Sequence, residues 1–339
     1  MTGPEVRRHG IGPFRFLTTS DIPLPSLLDA RMERCLVPPS PDSPERGADI
    51  RYSVSEIPDG SPEAPDAERR LGLALARCHS PARIRGGTQL LPLLLPPGTG
   101  TPPDLVDGMR LARSARILAQ IESAVDGASD PAAVSVLAHS LTVEIRDFER
   151  LSATVFLAGG LRGVLSTPAA FYSLRKLFSL FLPSLGAFMV HSAGISLECG
   201  TVLLAAPDSG GKSTAAAMAP AGSVLGDDRM LVVMSGDGFA VHPTPWNEIR
   251  GCPGGGRAAG VFVLDKSDSF GIGPVDPREA FAFLWQDNRT YFEDLPAPSR
   301  DSAFDSMLRL CRSVPCGRIG FPRDAFDWGA VEAFVRWAR

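Results

Sequence analysis

The sequence lacks any apolar run long enough to cross a lipid bilayer. Its most apolar segment extends from Leu177 to Val190, and Pro183 interrupts it. A membrane-spanning helix needs about 20 apolar residues, so this segment predicts a buried element of a folded domain instead. The N-terminal residues 1–8 are not followed by an apolar stretch, so the sequence gives no sign of a secretory signal peptide. We therefore expect a cytoplasmic protein with no membrane partner.

An excess of basic charge is missing as well, and so is any regular spacing of cysteines. The chain carries 34 Lys and Arg against 38 Asp and Glu, a formal net charge of -4, which provides no electrostatic attraction for nucleic acid. The six cysteines form no C-x-x-C pair and no zinc-binding spacing, so we expect free thiols in a reducing compartment. A hydrophobic content of 44% with 21% charged residues is typical of a soluble globular protein.

Residues 1–150 carry the weaker signals, and we expect a less regular α+β region there that binds a substrate or a partner. Proline-rich stretches such as 37–45 predict loops. No catalytic constellation is evident, and the lone His79 and His139 favour structural or surface roles. Apolar patterning predicts a strand at Ile50 to Ile57, helices at 68–79 and Leu105 to Val125, and a strand at Thr142 to Arg146.

Residues 151–339 carry sharper signals and predict a separate α/β domain. Alternating and β-branched runs bounded by glycine predict strands and hairpins, whereas helical spacing and capping residues predict helices. The predicted hairpins are 154–165, 195–205 and 230–242, the other predicted strands are 261–265 and 317–321, and the predicted helices are 168–181, 213–219, 277–287, 302–312 and 329–338.

One stretch of this domain carries the strongest chemical signal. Residues 206–214 read A-P-D-S-G-G-K-S-T, which is a P-loop motif with alanine, Ala206, in place of its first glycine. The apolar run Thr201 to Ala205 precedes it and a helix-forming run follows it, and this strand, loop and helix order is the context that the motif requires. An ordinary Gly/Ser turn before a helix is the alternative. If the first position requires a positive φ, alanine there strains the loop by about 1 kcal/mol.

The composition of this loop suits phosphate binding. Successive backbone N–H groups can surround a phosphate, and the two glycines let the backbone approach it closely. The Lys212 ammonium can neutralise phosphate charge, and the Ser213 hydroxyl can hold Mg²⁺. The residues expected to contact a bound nucleotide are Asp208, Ser209, Gly210, Gly211, Lys212, Ser213, Thr214 and Arg250.

Two adjacent carboxylates, Asp227 and Asp228, follow a short apolar run soon after the loop. One carboxylate can hold a metal ion while the other accepts a proton from an attacking hydroxyl. A simple Asp-Asp turn is the alternative, and the motif upstream argues against it. Further along, Glu248 is a candidate metal ligand and Arg250 a candidate phosphate contact, with an exposed ion pair as the alternative for both.

Taken together, these residues resemble the catalytic domain of the HPr kinase/phosphorylase superfamily. The resemblance rests on His191-Ser192-Ala193, the G-K-S-T loop, the L-G-D-D at 225–228 and the T-P-W-N at 244–247, and it covers about residues 160–335. It includes HPr-kinase-related proteins found beside peptide-modifying genes, such as lasso-peptide kinases, and free-serine kinases. The resemblance implies a phosphoenolpyruvate-carboxykinase-like fold, with the P-loop on a mixed β-sheet, and the use of ATP and Mg²⁺.

The resemblance also implies roles for individual residues. It implies that Asp227 is the catalytic base and Asp228 the metal-associated acid. It also implies that Lys212 and Ser213 bind phosphate and metal. His191 matches a histidine near the phosphates or metal, with a buried structural histidine as the alternative. Glu248-Ile249-Arg250-Gly251 matches the E-I-R-G of true HPr kinases, but the following Cys252-Pro253-Gly254 departs from their signature, which argues against HPr as the acceptor.

We therefore expect an ATP-dependent kinase that phosphorylates a serine-type or terminal hydroxyl, preferably on a peptide or protein. A kinase for a small molecule such as free serine is one alternative, and a non-catalytic nucleotide-binding regulatory module is another. A nucleotidyl or pyrophosphate-dependent transferase is a third. The sequence leaves open the identity of the acceptor, any phosphorylase activity, and the oligomeric state, for which a homo-oligomer is one option.

Overall fold

The computed structural model describes residues 5–20, 49–57, 62–77, 112–138, 142–158, 175–247 and 254–339. Within them the protein is a mixed α/β structure with two mixed β-sheets. The chain divides into two compact units, and Leu182–Arg339 together with Gly10–Pro13 belong to the second one. The division that we expected after residue 150, into a binding region and a catalytic domain, stays a prediction.

A six-stranded sheet has the order β1-β2-β3-β6-β5-β4 and belongs to the first unit, except for the last two residues of β1. Strand β3 pairs in parallel with both β2 and β6, whereas β4, β5 and β6 form an antiparallel meander. The strands are β1 Glu5–Ile11, β2 Phe14–Ser20, β3 Asp49–Ile57, β4 Val134–Ala138, β5 Thr142–Asp147 and β6 Ser152–Ala158.

Two helices, α1 Ala67–Arg77 and α2 Ala115–Gly127, belong to this unit. Helix α2 begins where the Ser114 hydroxyl accepts from Ile117 N, and its apolar face joins Leu71 of α1 and Val143 of β5 in one core. The predicted strands at 50–57 and 142–146 are confirmed. The predicted helices are found at 67–77 and 115–127, while residues 105–111 of the second prediction, His79, His139 and the later part of the 154–165 hairpin lie outside the described residues.

The second unit is built on a larger sheet in the order β11-β10-β7-β8-β12-β14-β13, with β9 paired to β7 and β11 also paired to β12. Its strands are β7 Ala187–Leu197, β8 Gly200–Ala205, β9 Val224–Gly226, β10 Arg229–Ser235, β11 Gly238–Pro243, β12 Gly256–Lys266, β13 Gly271–Pro274 and β14 Cys316–Phe321. The hairpins predicted at 195–205 and 230–242 are confirmed as β7–β8 and β10–β11.

Three central strands of this sheet, β8, β12 and β14, run in parallel. Their carboxyl ends, at Ala205, Lys266 and Phe321, therefore lie at the same edge of the sheet. The antiparallel neighbours β7 and β10 place His191 opposite Arg229 at that end as well. Parallel strands gather the segments that follow them, and such an edge commonly holds the functional site of an α/β protein.

The helices of this unit are α3 Lys212–Ala217, α4 Pro277–Asp287, α5 Arg289–Phe292, α6 Ala297–Ser313 and α7 Trp328–Trp337. Asp276 and Asp327 cap α4 and α7 by accepting from Arg278 N and Ala330 N, which explains where these predicted helices begin. Residues 175–181 are helical, and the rest of the helix predicted at 168–181 lies outside the described residues. None of the helices in the part of the chain that the structure describes combines the length and apolarity of a membrane span.

Candidate functional site

The loop of residues 206–211 connects the parallel strand β8 to helix α3, as the sequence predicts. Two of its residues have left-handed backbone conformations, Ser209 with φ of 61° and Gly211 with φ of 103°. A Cβ added to Gly210 would lie 2.6 Å from Ala206 Cβ and 2.8 Å from Pro207 O, so the loop is too tight for any side chain at this position. Ala206 does not have a positive φ, so alanine at the first position of the motif causes no backbone strain.

The Lys212 side chain turns back into this loop. Its Nζ donates hydrogen bonds to Ala206 O at 2.6 Å and to Pro207 O at 3.2 Å, and the residue is only 7% exposed. Burial lowers the pKa of Lys212, although attraction from Asp287, Asp208 and Asp228 opposes that effect. The structure therefore places a buried cation inside a glycine-containing loop, with several carboxylates around it.

A hydrogen bond joins the start of α3 to the predicted carboxylate pair. The Ser213 hydroxyl donates to Asp227 Oδ2 at 3.0 Å. Asp227 directly follows β9 and is 2% exposed, whereas 30% of the Asp228 side chain is exposed. The two neighbouring carboxylates thus have different surroundings, since Asp227 is buried against the loop and Asp228 is partly exposed.

His191 lies on β7 and brings three carboxylates together. Its Nε2 is 3.0 Å from Asp228 Oδ1 and 3.5 Å from Asp208 Oδ1, while its Nδ1 is 2.8 Å from Asp287 Oδ2. Burial acts to lower the pKa of His191, but the contacts with Asp228 and Asp287 outweigh burial, so the pKa is raised above its ordinary value. His191 is therefore a buried residue with charged partners on both ring nitrogens.

Asn247 fixes the backbone of the carboxylate pair. Its Oδ1 accepts from Asp228 N at 2.8 Å and Arg229 N at 2.9 Å, and its Nδ2 donates to Arg229 O at 3.0 Å and Thr244 O at 2.9 Å. A Cβ added to Gly226 would lie 2.4 Å from the Asn247 amide, so glycine is needed beside it. The T-P-W-N segment thus holds the turn that presents Asp227 and Asp228.

The end of helix α4 supplies two residues that sequence reasoning missed. Asn288 is fully buried, and its Oδ1 accepts from the backbone N–H of His191 at 2.9 Å while its Nδ2 donates to Leu284 O at 2.8 Å. Asp287 contacts the His191 ring, as described above. The only local signal was a polar Asp-Asn pair at the end of a predicted helix, which also fits an ordinary helix end.

Arg229 is a second cation of the site that the sequence left without a role. Its Nη1 lies 3.5 Å from Asp228 Oδ1, and the guanidinium stands over the Tyr291 ring at 5.5 Å from the ring centre. A guanidinium held by an aromatic face keeps its orientation, which suits it to contact an anion. Arg229 and Lys212 both act to lower the pKa of His191, so they lie in the same electrostatic environment.

The predicted site residues thus fall into three groups. The first group shares the contacts described above and contains Lys212, Ser213, Asp227, Asp228 and His191. Asp208 contacts His191 of this group, although the Asp208 side chain is 96% exposed. Ser209, Gly210, Gly211 and Thr214 form the loop and the first turn of α3. Glu248 and Arg250 lie outside the described residues. Within the described ranges, no three His, Cys, Asp or Glu side chains form a cluster arranged to hold a metal ion by themselves.

Comparison with known proteins adds no family assignment. No protein-family model matches the chain, and no curated protein matches it either. The interpretation of the site therefore depends on its residues and their geometry.

Proposed function

We propose that this protein is an ATP-dependent kinase that transfers the γ-phosphate to a serine-type or terminal hydroxyl, preferably on a peptide or protein. The observation that carries the proposal is the hydrogen bond from Ser213 to Asp227, since it joins the glycine-containing loop to the carboxylate pair. A phosphate in the loop and a hydroxyl beside the carboxylates would then be close enough to react.

The loop supports the nucleotide-binding part of this proposal. The Gly210 N–H donates to Pro207 O at 2.9 Å and closes the turn, and the left-handed residues Ser209 and Gly211 curve the loop. Because Gly211 has no side chain, a phosphate can approach the backbone there closely. The Lys212 ammonium at the inner side of the loop supplies positive charge. On this reading the loop is a P-loop, and the sheet that carries it is of the phosphoenolpyruvate-carboxykinase type.

The donor set around Ser213 fits Mg²⁺. This ion prefers oxygen ligands and usually keeps one or two protein carboxylates together with phosphate oxygens and water, so a cluster of three protein carboxylates is not required. Ser213 Oγ and the Asp227 carboxylate would hold it. Of the other metal ligands that the sequence suggests, Glu248 lies outside the described residues, and the contacts of Asp228 favour a different role. When bound, the ion supplies charge neutralisation for the transferred phosphoryl group.

The contacts favour an exchange of the two carboxylate roles that the resemblance implies. Asp227 is buried and accepts from Ser213, which suits a metal-associated acid. The Asp228 side chain is more exposed than that of Asp227, and its Oδ1 contacts His191 and Arg229. We therefore propose that Asp228 accepts the proton of the acceptor hydroxyl, while Lys212 and the loop N–H groups stabilise the charge on the phosphoryl oxygens.

Phosphate transfer assays with single variants test this proposal. Purified protein is given ATP, Mg²⁺, a pool of serine-containing peptides and, separately, free serine, and products are detected by mass. We expect Asp228→Asn to lower kcat by about 100-fold or more with little change in the Mg²⁺ dependence. Asp227→Asn should instead raise the Mg²⁺ concentration needed for half-maximal activity. Asp237→Asn, in the β10–β11 turn, is the matched control and should leave both unchanged.

The acceptor that gains mass separates a peptide kinase from a small-molecule kinase. Nucleotide binding without transfer to either class of acceptor would contradict the proposal and favour the regulatory module. Transfer that persists in both aspartate variants would show that the chemistry takes place elsewhere in the protein.

A further inference from the structure

We infer that Asp287 is a positioning residue, which holds the His191 imidazole with Nδ1 toward helix α4 and Nε2 toward the carboxylates beside the loop. The consequence for catalysis rests on the proposed kinase function, but the positioning itself does not. Neither Asp287 nor its neighbour Asn288 showed a functional signal in the sequence.

The first support is the contact between Asp287 and the ring. Asp287 Oδ2 is buried and lies 2.8 Å from His191 Nδ1. Within the described ranges this oxygen has no hydrogen bond of regular geometry, and His191 Nδ1 is its ion-pair partner. A buried carboxylate oxygen without a hydrogen bond is costly, which favours a hydrogen on the nearby His191 Nδ1 that turns toward it.

The second support is the neighbouring residue on the same helix end. Asn288 accepts from the backbone N–H of His191 and is itself held by Leu284 O within α4. The end of α4 therefore fixes both the backbone and the side chain of one residue on β7. Such double attachment at a single residue is what a site needs when the direction of a ring nitrogen matters.

The third support is the arrangement around the other ring nitrogen. Carboxylates face both ring nitrogens, so the charged ring donates on both sides. In the neutral ring the shorter contact, 2.8 Å to the buried Asp287 oxygen against 3.0 Å to the partly exposed Asp228, favours the hydrogen on Nδ1 and leaves Nε2 toward Asp228 and Asp208. The cationic groups Lys212 and Arg229 act on the same ring. Asp287 thus determines which nitrogen meets the carboxylate that we propose as the base, without reaching that carboxylate itself.

The positioning can be tested without any activity. Nitrogen-15 NMR of histidine distinguishes the two neutral tautomers, and a His191→Gln variant identifies the His191 signals among those of the five histidines. At a pH where the ring is neutral, we expect the hydrogen on Nδ1 in the unaltered protein. Asp287→Asn should abolish this preference, because an amide can donate as well as accept. An unaltered protein with the hydrogen on Nε2, or an unchanged tautomer in the variant, would overturn the inference.

Kinetics then test the consequence for the reaction. Asp287→Asn should lower kcat by about 10- to 100-fold with little change in KM, and Asp287→Glu should recover part of the loss. In a His191→Gln background, Asp287→Asn should lose most of its effect, because Asp287 acts mainly through His191 and only its weaker attraction on Lys212 remains. Glu279→Gln, the same chemical change on the exposed start of α4, is the control and should leave kcat unchanged.

An additive double variant would overturn the positioning role in catalysis. If the unaltered protein transfers no phosphate to any acceptor, the proposed function fails, while the tautomer measurement still decides the role of Asp287. The two failures are therefore distinguishable. Spectra of folded protein for each variant verify that a loss of activity does not come from unfolding.

Discussion

Replacing Ala206 by glycine would restore the usual first residue of the loop motif, and we expect the change to destabilise the protein. Ala206 is fully buried in a core with Leu204 and Ala215, and its methyl group fills the space beside Gly210. Removing a buried methyl group costs about 0.8 kcal/mol, and the extra backbone freedom of glycine in the unfolded chain costs about 0.4–1 kcal/mol more. The expected loss in free energy of unfolding is therefore about 1–2 kcal/mol.

The sign of this change is what makes the experiment decisive. If Ala206 strained the loop, glycine would instead stabilise the protein by about 1 kcal/mol. Urea unfolding followed by tryptophan fluorescence measures the effect, because all four tryptophans lie between residues 246 and 337, within the second unit. Ala193→Gly, at a buried strand position of the same core, calibrates the cost of an unstrained change.

Nucleotide affinity provides the second measurement on the same variant. Because the Ala206 backbone needs no positive φ, we expect Ala206→Gly to bind ATP with an affinity within about twofold of the unaltered protein. A variant that is more stable, or that binds ATP at least about tenfold more tightly, would refute the reasoning. It would also revive the interpretation that the natural loop is impaired and the protein is a regulatory module.

Three further predictions concern the same unit. Gly210→Ala should weaken ATP binding by about tenfold or more in calorimetry, because its Cβ meets Ala206 Cβ at 2.6 Å and overpacking costs about 1–3 kcal/mol; unchanged affinity would contradict the tight loop. Gly226→Ala should displace the Asn247 amide and lower the free energy of unfolding by about 2 kcal/mol, whereas Gly271→Ala, with open space around it and no positive φ, should not show this steric cost in the same urea titration. Burial lowers the pKa of His242 below its unfolded value, so its contribution to stability is fully present above the unfolded pKa of about 6.5 and is lost as pH falls below that value toward the lowered folded pKa. His242→Gln should reduce that loss, and an identical pH dependence of unfolding would show that His242 does not cause it.

The sequence predicts the local parts of this site well. The strand, loop and helix at 201–217 lie next to one another in the chain, so an apolar run, two glycines and helix-forming residues indicate them directly. The β7–β8 and β10–β11 hairpins are also local pairings, bounded by glycine-containing turns. In each case the residues that determine the structure are close in sequence.

The parts that depend on distant residues could not be predicted in the same way. Asp287 meets His191 only because α4 packs near β7, and no local pattern specifies that approach. The different surroundings of Asp227 and Asp228 depend on Asn247 and Ser213, which come from separate segments. Strand β13 was missed because its sequence G-I-G-P has little strand propensity, and pairing with β14 stabilises it.

The parallel pairing of β8, β12 and β14 also determines the order in which the parts of the site are synthesised on the ribosome. Strand β8 is synthesised directly after its hairpin partner β7, but its other neighbour, β12, begins only at Gly256. Asp287 emerges later still, and the Phe321 ring, against which Gly211 packs, comes near the end of the chain. During synthesis the loop therefore emerges well before β12, α4 and β14, the elements that surround it in the folded protein. A polypeptide that ends before β14 would contain the complete loop sequence but would lack a strand that supports the loop.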